Sequence, residues 1–421
     1  DILVHQRVDG GQHLYFLANK SRTRGYDATI SFLEKGEVTE WNLLDGSVTP
    51  VAAVTKQGRT VIRTVFHPAE SHAFVIDTSK PPAPETPLSK MEYEEHVVTL
   101  PDGWTFKRLH PNSMVLDTCT YSLRRGKWSE KTPIWKARRE AWRYAGLEKC
   151  SGIQPWVLKK KKVKPKSFRL RIHTTFKSEV GGRRVFLVVE KAPLWVLTVN
   201  GRRVSTRVAE WHWDKQFGKI DVSDHVKVGE NELELSCTYG IDVPVEDLYL
   251  VGDFGVKKAS ETEYTLMDEP EALKNGDWTQ QGYPFYAGTM QYKASFSLQK
   301  EREPGERVLI RLPEAKGTLF LVKVNGRGPV PVCWQPLEAD VTDLVQIGEN
   351  ELIIEVVSSL RNTFGPLHHK SGDPYWVGPF TFTDEANWVD AYQLVPFGLI
   401  KGAEVVTRKE KTKEQEPPSN Q

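Results

Sequence analysis

The chain has 421 residues, of which 39% are hydrophobic and 27% charged, with 57 basic and 55 acidic side chains and a formal net charge of +2. This balance argues against a dedicated nucleic-acid-binding protein, and the hydrophobic content argues against disorder over the whole length. No apolar stretch is long enough to predict a membrane span, and no signal peptide is visible. The length predicts about three domains.

The first 79 residues show strand patterns. Residues 13–20 contain a short apolar run, residues 27–33 alternate apolar and polar side chains, and Trp41 precedes the hairpin-forming pair Asp45-Gly46. We therefore predict a small β-sandwich over 1–79. The prolines within 80–90 predict an extended linker that separates this sandwich from the rest of the chain.

The segment 91–258 begins irregularly. Its leading part is rich in tryptophan and shows little alternation, although a short helix is predicted within 135–147. A run of lysines follows at 159–166, which we interpret as a solvated connector, with a patch for an anionic polymer as the alternative. From Phe168 onward the alternation becomes regular, as is typical of half-buried strands.

The strongest signal in the sequence is an internal repeat. Val199-Asn200-Gly201 followed by Gly229-Glu230-Asn231-Glu232-Leu233 matches Val324-Asn325-Gly326 followed by Gly348-Glu349-Asn350-Glu351-Leu352. Asn-Gly supplies the two positive-φ residues of a tight hairpin turn, and the order of strands and turns agrees around both copies. We therefore predict an all-β chain with two jelly-roll β-sandwiches, over 91–258 and 259–402, and a disordered tail over 403–421.

Several segments resemble glycoside hydrolases. The second copy, from Tyr286-Ala287-Gly288-Thr289-Met290-Gln291-Tyr292 through Trp334 to its Gly-Glu-Asn-Glu-Leu motif, resembles the sugar-binding jelly-roll domain of family 2 glycoside hydrolases, whose fold is galactose-binding-domain-like. The first copy resembles it more loosely, and its tail, Glu246 to Val256, is similar to a segment of large bacterial glycoside hydrolases. The N-terminal segment, with Leu14-Tyr15-Phe16-Leu17, resembles the β-sandwich that follows the catalytic barrel in family 106 α-L-rhamnosidases.

This resemblance implies a non-catalytic role. Such enzymes keep their catalytic carboxylates on a barrel, and the sequence contains no barrel, so we expect no catalytic residues in this chain. Glu210 and Asp214 would stand about 13 Å apart along a strand, beyond the roughly 5–9.5 Å that glycoside hydrolysis requires. We expect no cofactor. A structural calcium ion is common in this fold class, but no run of oxygen ligands marks one, and the four cysteines lack metal-ligand spacing.

We expect sugar contacts in the loops between strands. Aromatic rings stack on sugar faces, whereas guanidinium, amide and imidazole groups bind sugar hydroxyls. The candidate residues are Trp211 and Trp213 in the first copy and Trp334, Arg361, Asn362, His368, His369, Asp373 and Trp376 in the second. The alternative is a structural loop whose polar groups bind one another. His368-His369 is a weak candidate for a metal site, because neighbours on a strand point apart.

The leading functional hypothesis is the non-catalytic C-terminal portion of a glycoside hydrolase, which packs on a catalytic barrel carried by another segment or chain. The alternatives are a free-standing carbohydrate-binding protein and a purely structural spacer. The expected partners are an oligo- or polysaccharide and the catalytic segment, with no nucleic acid and no membrane, in a soluble bacterial protein. Rhamnosides are the first expected substrates, and β-galactosides or β-glucuronides the next.

Overall fold

The structure is a computed structural model that describes residues 1–82, 92–124, 126–150, 153, 155–373 and 382–411. The fold is all-β and consists almost entirely of antiparallel sheets, as predicted. Three hydrophobic cores form within these ranges, one in the N-terminal segment and two in the region that contains the repeat. In the same ranges, no helix is both long and apolar enough to cross a membrane.

The N-terminal segment packs two sheets around a small core. One sheet has five strands in the order β1-β2-β8-β4-β5, and the other has three in the order β3-β7-β6. Leu17, Ile62 and Phe74 lie in the core between them. The strands are β1 (Ile2–Asp9), β2 (Gln12–Asn19), β3 (Tyr26–Phe32), β4 (Glu37–Trp41), β5 (Val48–Pro50), β6 (Val54–Lys56), β7 (Arg59–Phe66) and β8 (Ser71–Asp77).

Strand β1 is exposed on both faces although it contains apolar residues. Val4 pairs with Leu17, so both side chains point to the core side of the sheet. Leu17 is 2% exposed, whereas Val4 is 62% exposed. On the opposite side of the strand, Leu3 is also exposed. Ile2 packs against the core, whereas the three-stranded sheet leaves the core side of β1 uncovered from Val4 to Val8.

Two further sandwiches contain the repeat. The first half of this region contains the strands β9 (Tyr93–Thr99), β10 (Thr105–Arg108), β11 (Asn112–Leu116), β12 (Thr118–Ser122), β13 (Thr132–Pro133), β14 (Arg169–Ser178), β15 (Val185–Glu190), β16 (Val196–Val199), β17 (Arg202–Val204), β18 (Glu210–His212), β19 (Asp214–Asp221), β20 (Gly229–Thr238), β21 (Leu248–Gly252), β22 (Gly255–Lys258) and β23 (Tyr264–Met267). Its helices are α1 (Ile134–Tyr144), close to the predicted position, and α2 (Pro155–Lys160).

The remaining elements complete the second copy of the repeat. They are β24 (Thr289–Leu298), β25 (Arg307–Arg311), β26 (Ala315–Lys316), β27 (Leu319–Val324), β28 (Arg327–Val332), β29 (Glu338–Asp340), β30 (Gly348–Val357), α3 (Arg361–Phe364), β31 (Gly398–Leu399) and β32 (Glu404–Glu410). Short 3-10 helices span Glu148–Cys150, Ala192–Leu194, Ser223–His225, Trp278–Gln280 and Glu385–Asn387.

The two copies have matching strand topology. A long antiparallel pair forms the centre of each, β14 with β20 in the first copy and β24 with β30 in the second. A strand that ends in Asn-Gly then pairs with the free side of β20 or β30 and turns back as a hairpin. In the facing sheets, β15 pairs with β19 and β21, just as β25 pairs with β29 and β32.

The leading strands differ from the predicted division of the chain. We assigned 91–258 to one module, but β9 pairs with β32 and β10 pairs with β24, so these strands belong to the second sandwich. Strands β11 and β12 pair instead within the first copy. The first sandwich is thus inserted into the second, after β10. An alternation pattern identifies a strand but does not identify its partner, which explains the difference.

The predicted tail also differs. We expected disorder over 403–421, but β32 pairs with β9 and β25, and its Val405 and Val406 are buried in the second sandwich. The strand is short and is followed by charged residues, so composition alone concealed it. Residues 412–421 lie outside the described part of the chain.

An ion pair joins the two ends of the inserted sandwich. Arg108 ends β10, where the chain enters the first sandwich, and Glu269 follows β23, where the chain returns. The guanidinium donates from Nε and Nη2 to the two carboxylate oxygens of Glu269, the second bond at 2.8 Å, and from Nη1 to the His110 carbonyl. Tyr283 donates a further hydrogen bond to Glu269. The Arg108 side chain is 9% exposed and that of Glu269 is 32% exposed, so the guanidinium is largely removed from water whereas the carboxylate is partly hydrated.

The repeated asparagines hold the same backbone turn in both copies. Asn350 accepts from the N–H of Gln346 and donates to the carbonyls of Gln346 and Gly348. Asn325, at φ 53°, donates to the Asn350 side chain at 2.8 Å and accepts from the N–H of Glu351. The first copy repeats these bonds with Asn200, Asn231, Lys227, Gly229 and Glu232.

We expect Asn350→Ala to lower the free energy of unfolding of the second sandwich by about 2–4 kcal/mol, because a fully buried side chain would leave several backbone groups without partners. Denaturant unfolding followed by tryptophan fluorescence measures the change, since Trp104 and Trp278 lie in that core. The exposed neighbour provides the control, and Glu349→Ala should change the value by less than about 0.5 kcal/mol. Equal effects of the two substitutions would contradict this role for the motif.

Candidate functional site

A buried ion pair connects the loop after α3 to the first sandwich. The His368 ring places Nε2 2.8 Å from Oδ2 of Asp117 and Nδ1 2.9 Å from the carbonyl oxygen of Val389. A carbonyl oxygen only accepts hydrogen bonds, so Nδ1 carries a proton, and the carboxylate faces the other ring nitrogen. Burial opposes the charged imidazolium, but the hydrogen bond and negative charge of Asp117 outweigh it and raise the pKa of His368 above its ordinary value.

Two aromatic side chains surround this ion pair. Trp388 stacks on the His368 ring at a centroid distance of 4.5 Å, and Tyr392 lies against it at the same distance. The Tyr392 hydroxyl donates to the second oxygen of Asp117 at 2.9 Å. The side chains of His368 and Asp117 are 7% and 9% exposed. The loop that reaches from the second sandwich is therefore fixed to the first by charge, hydrogen bonds and ring packing.

A cavity of about 290 Å³ lies beside the ion pair. The first sandwich contributes helix α1 and the ends of β15 and β21, and the second sandwich contributes α3 and the loop that follows it. Its described lining residues are Asp117, Trp135, Arg138, Glu190, Phe217, Glu246, Asp247, Tyr249, Thr363, Phe364, Gly365, Leu367, His368, Phe382, Thr383 and Trp388.

Aromatic side chains form the apolar part of the cavity wall. The Phe364 ring packs edge-on against Tyr249 at a centroid distance of 5.0 Å and lies 5.6 Å from Phe217. Trp135 and Trp388 meet at 5.7 Å. The Trp135 indole Nε1 is buried and has no hydrogen-bond partner in the described ranges. A ligand in the cavity would meet several aromatic surfaces.

Carboxyl groups form the polar part of the wall. Arg138 donates from Nη1 to both oxygens of Glu246, at 2.6 and 2.7 Å. Burial and the negative charges of Asp117 and Glu246 raise the pKa of Asp247 well above its ordinary range. Burial and the charge of Glu246 likewise raise the pKa of Glu190. Asp247 consequently retains its proton to a higher pH than an ordinary carboxyl group and can donate a hydrogen bond.

These groups suit recognition of a polar, ring-shaped molecule. Carboxylate oxygens accept hydrogen bonds, the Arg138 guanidinium donates them, and the aromatic rings cover apolar ring faces. Among the described residues, no cluster of three or more His, Cys, Asp or Glu side chains could hold a metal ion. The calcium ion that the fold class suggests stays a prediction.

The predicted sugar-binding residues of the second copy have different roles. His368 lines the cavity but is engaged by Asp117. Asn362 is fully buried, and its amide bonds the carbonyl and N–H of Val395, so it has no free group for a sugar. His369 is buried and bonds Ser371. Backbone groups form hydrogen bonds with such polar side chains, and the composition of the sequence does not show this.

The other predicted residues do not meet at one place. Arg361 forms an ion pair with Asp373, and its two Nη groups are buried without hydrogen-bond partners in the described ranges. Trp334 is 39% exposed in the loop between β28 and β29, and Trp376 lies outside the described residues.

In the first copy, the two predicted tryptophans separate. Trp211 is 53% exposed on the edge strand β18, so its ring is available to solvent. Trp213 instead packs against Tyr249 and Phe364, at 5.3 and 5.0 Å, behind the cavity wall. Trp213 has a positive φ of 61°, which turns its ring into the protein and away from that of Trp211.

Sequence reasoning missed most of the cavity residues. Trp135 and Arg138 stand three positions apart on α1 and therefore share a helix face. This spacing could have been recognised within the predicted helix. Glu246 and Asp247 lie in the segment that resembles large glycoside hydrolases. Asp117 and Glu190 lie at strand ends and carry no distinguishing pattern, so only the fold brings them to the cavity.

Comparisons with known proteins give partial likenesses only. Neither a protein-family model nor a curated protein matches the chain. A rhamnosidase from Novosphingobium sp. PP1Y is 14% identical over 96% of this chain and 24% of its own, with a TM-score of 0.43. A Streptomyces avermitilis α-L-rhamnosidase complexed with L-rhamnose is 13% identical over 97% of this chain and 38% of its own, with a TM-score of 0.24.

A family 2 glycosyl hydrolase from Bacteroides cellulosilyticus DSM 14838 is 10% identical over 59% of this chain and 32% of its own, with a TM-score of 0.23. The chain thus spans between about a quarter and two fifths of the length of these structures. At these TM-scores the likeness assigns neither a family nor an activity.

We expect His368→Ala to lower the free energy of unfolding by about 3–5 kcal/mol near pH 6, because it leaves the buried Asp117 carboxylate unpaired. The pKa of His368 is raised in the folded state above 6.5, so the pair contributes fully below that pH. Its contribution is lost as the pH rises through the folded pKa, and the difference between wild type and variant should shrink accordingly.

Denaturant unfolding at several pH values measures this difference. The exposed His96 provides the matched control, and His96→Ala should change the free energy of unfolding by less than about 0.5 kcal/mol at each pH. A difference between wild type and His368→Ala that stays constant as the solution becomes alkaline would rule out a charged His368 in the folded protein.

Proposed function

We propose that this chain is the non-catalytic, carbohydrate-binding portion of a glycoside hydrolase, and that the cavity beside Asp117 and His368 holds a sugar unit. The observation that carries the proposal is the cavity itself, where carboxyl groups and a guanidinium stand beside aromatic rings. The resemblance of the repeat and of the N-terminal segment to glycoside hydrolases supplies the wider context.

The polar and apolar parts of the cavity wall match the polar edge and the apolar faces of a sugar ring. A pyranose has hydroxyl groups around its edge and apolar C–H groups on its faces. Arg138, Glu246 and Asp247 provide donors and acceptors for the edge, whereas Trp135 and Phe364 provide apolar surfaces for a face. Polar groups placed beside aromatic surfaces are typical of sites for small ligands.

The charges favour a neutral sugar. Asp117 is balanced by His368, and Glu246 is balanced by Arg138, so neither cation is free to attract a sugar carboxylate. Glu190 adds a further acidic group without a described partner. We therefore propose a neutral unit, with a rhamnoside first and a galactoside second, and we expect a glucuronide to bind most weakly.

The proposed catalytic portion requires a contact surface on this chain. Strand β1 provides one, because Val4 and Val8 are 62% and 59% exposed on the core side of an edge strand. Edge strands with exposed apolar residues are prone to association, and natural proteins normally cover them. We propose that the catalytic portion covers β1.

We expect Trp135→Ala to weaken binding of methyl α-L-rhamnoside by about tenfold or more, because it removes an aromatic surface from the cavity. Trp135→Phe keeps a ring and should have an intermediate effect. Isothermal titration calorimetry with methyl α-L-rhamnoside, methyl β-D-galactoside and D-glucuronate measures the affinities.

Trp211→Ala is the matched control, since it removes an exposed tryptophan outside the cavity lining. It should leave the affinity unchanged. If none of the three sugars binds, or if Trp135→Ala and Trp211→Ala lower the affinity equally, the cavity is not a sugar site.

We expect the isolated chain to release no p-nitrophenol from p-nitrophenyl α-L-rhamnoside or p-nitrophenyl β-D-galactoside, because its catalytic partner is absent. The natural polypeptide or complex that contains this chain should hydrolyse one of them. The absorbance of released p-nitrophenol, measured at the same protein concentration for both preparations, gives the rates of hydrolysis. The intact mass of the natural product shows whether it contains more than this chain. Turnover by the isolated chain, or a natural product that consists of this chain alone, would contradict the assignment.

A further inference from the structure

The segment after α1 presents an unusual concentration of positive charge. It contains six lysines, Lys159, Lys160, Lys161, Lys162, Lys164 and Lys166. Lys159 pairs with Asp242 at 2.6 Å, and within the described ranges none of the other five has a carboxylate partner. All six side chains are exposed. Since like charges repel, unpaired lysines at this density are favourable only in water or beside an anion.

Backbone hydrogen bonds and apolar contacts anchor this segment, which was expected to be a solvated connector. Leu158 is buried, and Val163 packs against the core of the first sandwich. The N–H of Val163 bonds the carbonyl of Leu158, and the N–H of Lys166 bonds the carbonyl of Ala145 at the end of α1. Apolar side chains thus anchor the segment while the ammonium groups between them face outward.

An exposed tryptophan stands next to the lysines. Trp156 is 67% exposed, the most exposed large hydrophobic side chain among the described residues. In α2 it lies four positions before Lys160, so the two share a helix face. The surface therefore offers an aromatic ring and an ammonium group side by side.

Lys166 and one further cation, Arg124, meet at the end of α1. The ammonium of Lys166 lies 4.2 Å from the centroid of the Tyr144 ring, and the Arg124 guanidinium lies 5.5 Å from it. The hydrogen bonds of these cations lower the pKa of Tyr144. We call the surface formed by Arg124, Trp156 and residues 159–166 the basic surface.

We propose that the basic surface binds an acidic polysaccharide, whose uronate carboxylates face the lysines while the Trp156 ring covers one sugar face. The charges are complementary, and Trp156 adds a contact that charge alone does not require. This site is additional to the cavity. Trp135 and Tyr144 mark the two regions on α1 and lie about 14 Å apart along its axis, so substitutions in one should not disturb the other.

Other polyanions fit the observations less well. The whole chain has a net charge of only +2, which is unlike a dedicated nucleic-acid binder. The run 159–166 contains lysines and no arginine, although arginine is the preferred residue for bidentate phosphate recognition. Helix α2 has six residues and one buried apolar side chain, too short to lie along a membrane surface as an amphipathic helix.

The test uses affinity electrophoresis and calorimetry with polygalacturonate. We expect the wild-type chain to bind, with an affinity that falls on the order of tenfold between about 50 and 200 mM salt. The variant Lys160→Ser/Lys161→Ser/Lys162→Ser/Lys164→Ser should lose at least about tenfold in affinity. The control Lys20→Ser/Lys56→Ser/Lys107→Ser/Lys316→Ser removes four exposed lysines from other strands and loops and should bind like wild type.

Trp156→Ala separates a sugar contact from charge alone. It should weaken binding to polygalacturonate several-fold and leave binding to poly-L-glutamate, which has carboxylates but no sugars, unchanged. Equal binding by wild type and the lysine variant, or no binding to polygalacturonate, would overturn the proposal. Tighter binding of duplex DNA or of phosphatidylserine vesicles, lost in the same lysine variant, would also overturn it. Binding at the cavity is measured with neutral sugars and Trp135→Ala, so the two proposals fail independently.

Discussion

The ion pair between Arg108 and Glu269 joins the two chain segments that connect the inserted first sandwich to the second. The chain leaves the second sandwich after β10 and returns before β24, and Arg108 and Glu269 stand at these two crossings. Burial of the Arg108 guanidinium costs hydration, so the net contribution of the ion pair to stability is modest. Its bidentate geometry, with Tyr283 as an additional donor, instead fixes the distance between the crossing strands.

Sequence patterns were most informative where local chemistry determines the structure. The Asn-Gly pairs were predicted to form tight hairpin turns, and the hydrogen bonds of Asn325 and Asn350 explain why asparagine recurs in both motifs. The alternation from Phe168 onward likewise matches β14. In these segments the hydrogen-bond partners lie within a hairpin or its neighbouring strand, so a short window of sequence contains most of the information.

The nested order and the cavity were beyond such reasoning. Strand β9 is exposed along its whole length, so its sequence has no apolar face that marks it as part of a sandwich. The cavity collects side chains from separate segments, including Asp117, Arg138, Glu190 and His368. The polar loop that was expected to bind sugar is largely occupied by internal hydrogen bonds, as Asn362 and His369 illustrate. Pairing between strands far apart in the sequence determines which polar groups have no hydrogen-bond partner within the protein. Such pairing cannot be inferred from the patterns of a single sequence.

The insertion also sets an order for folding during synthesis. Strand β9 pairs with β32 from Tyr93 opposite Glu410 to Thr99 opposite Glu404, so the second sandwich cannot close until residues 404–410 have left the ribosome. The inserted sandwich has all of its strands much earlier, and domains generally fold as units as they emerge. The folded first sandwich would thus be flanked on both sides by unfolded segments of the second sandwich. In that interval the early strands β9 and β10 remain unpaired, and they are the segments most open to chaperones or to pairing with a neighbouring chain.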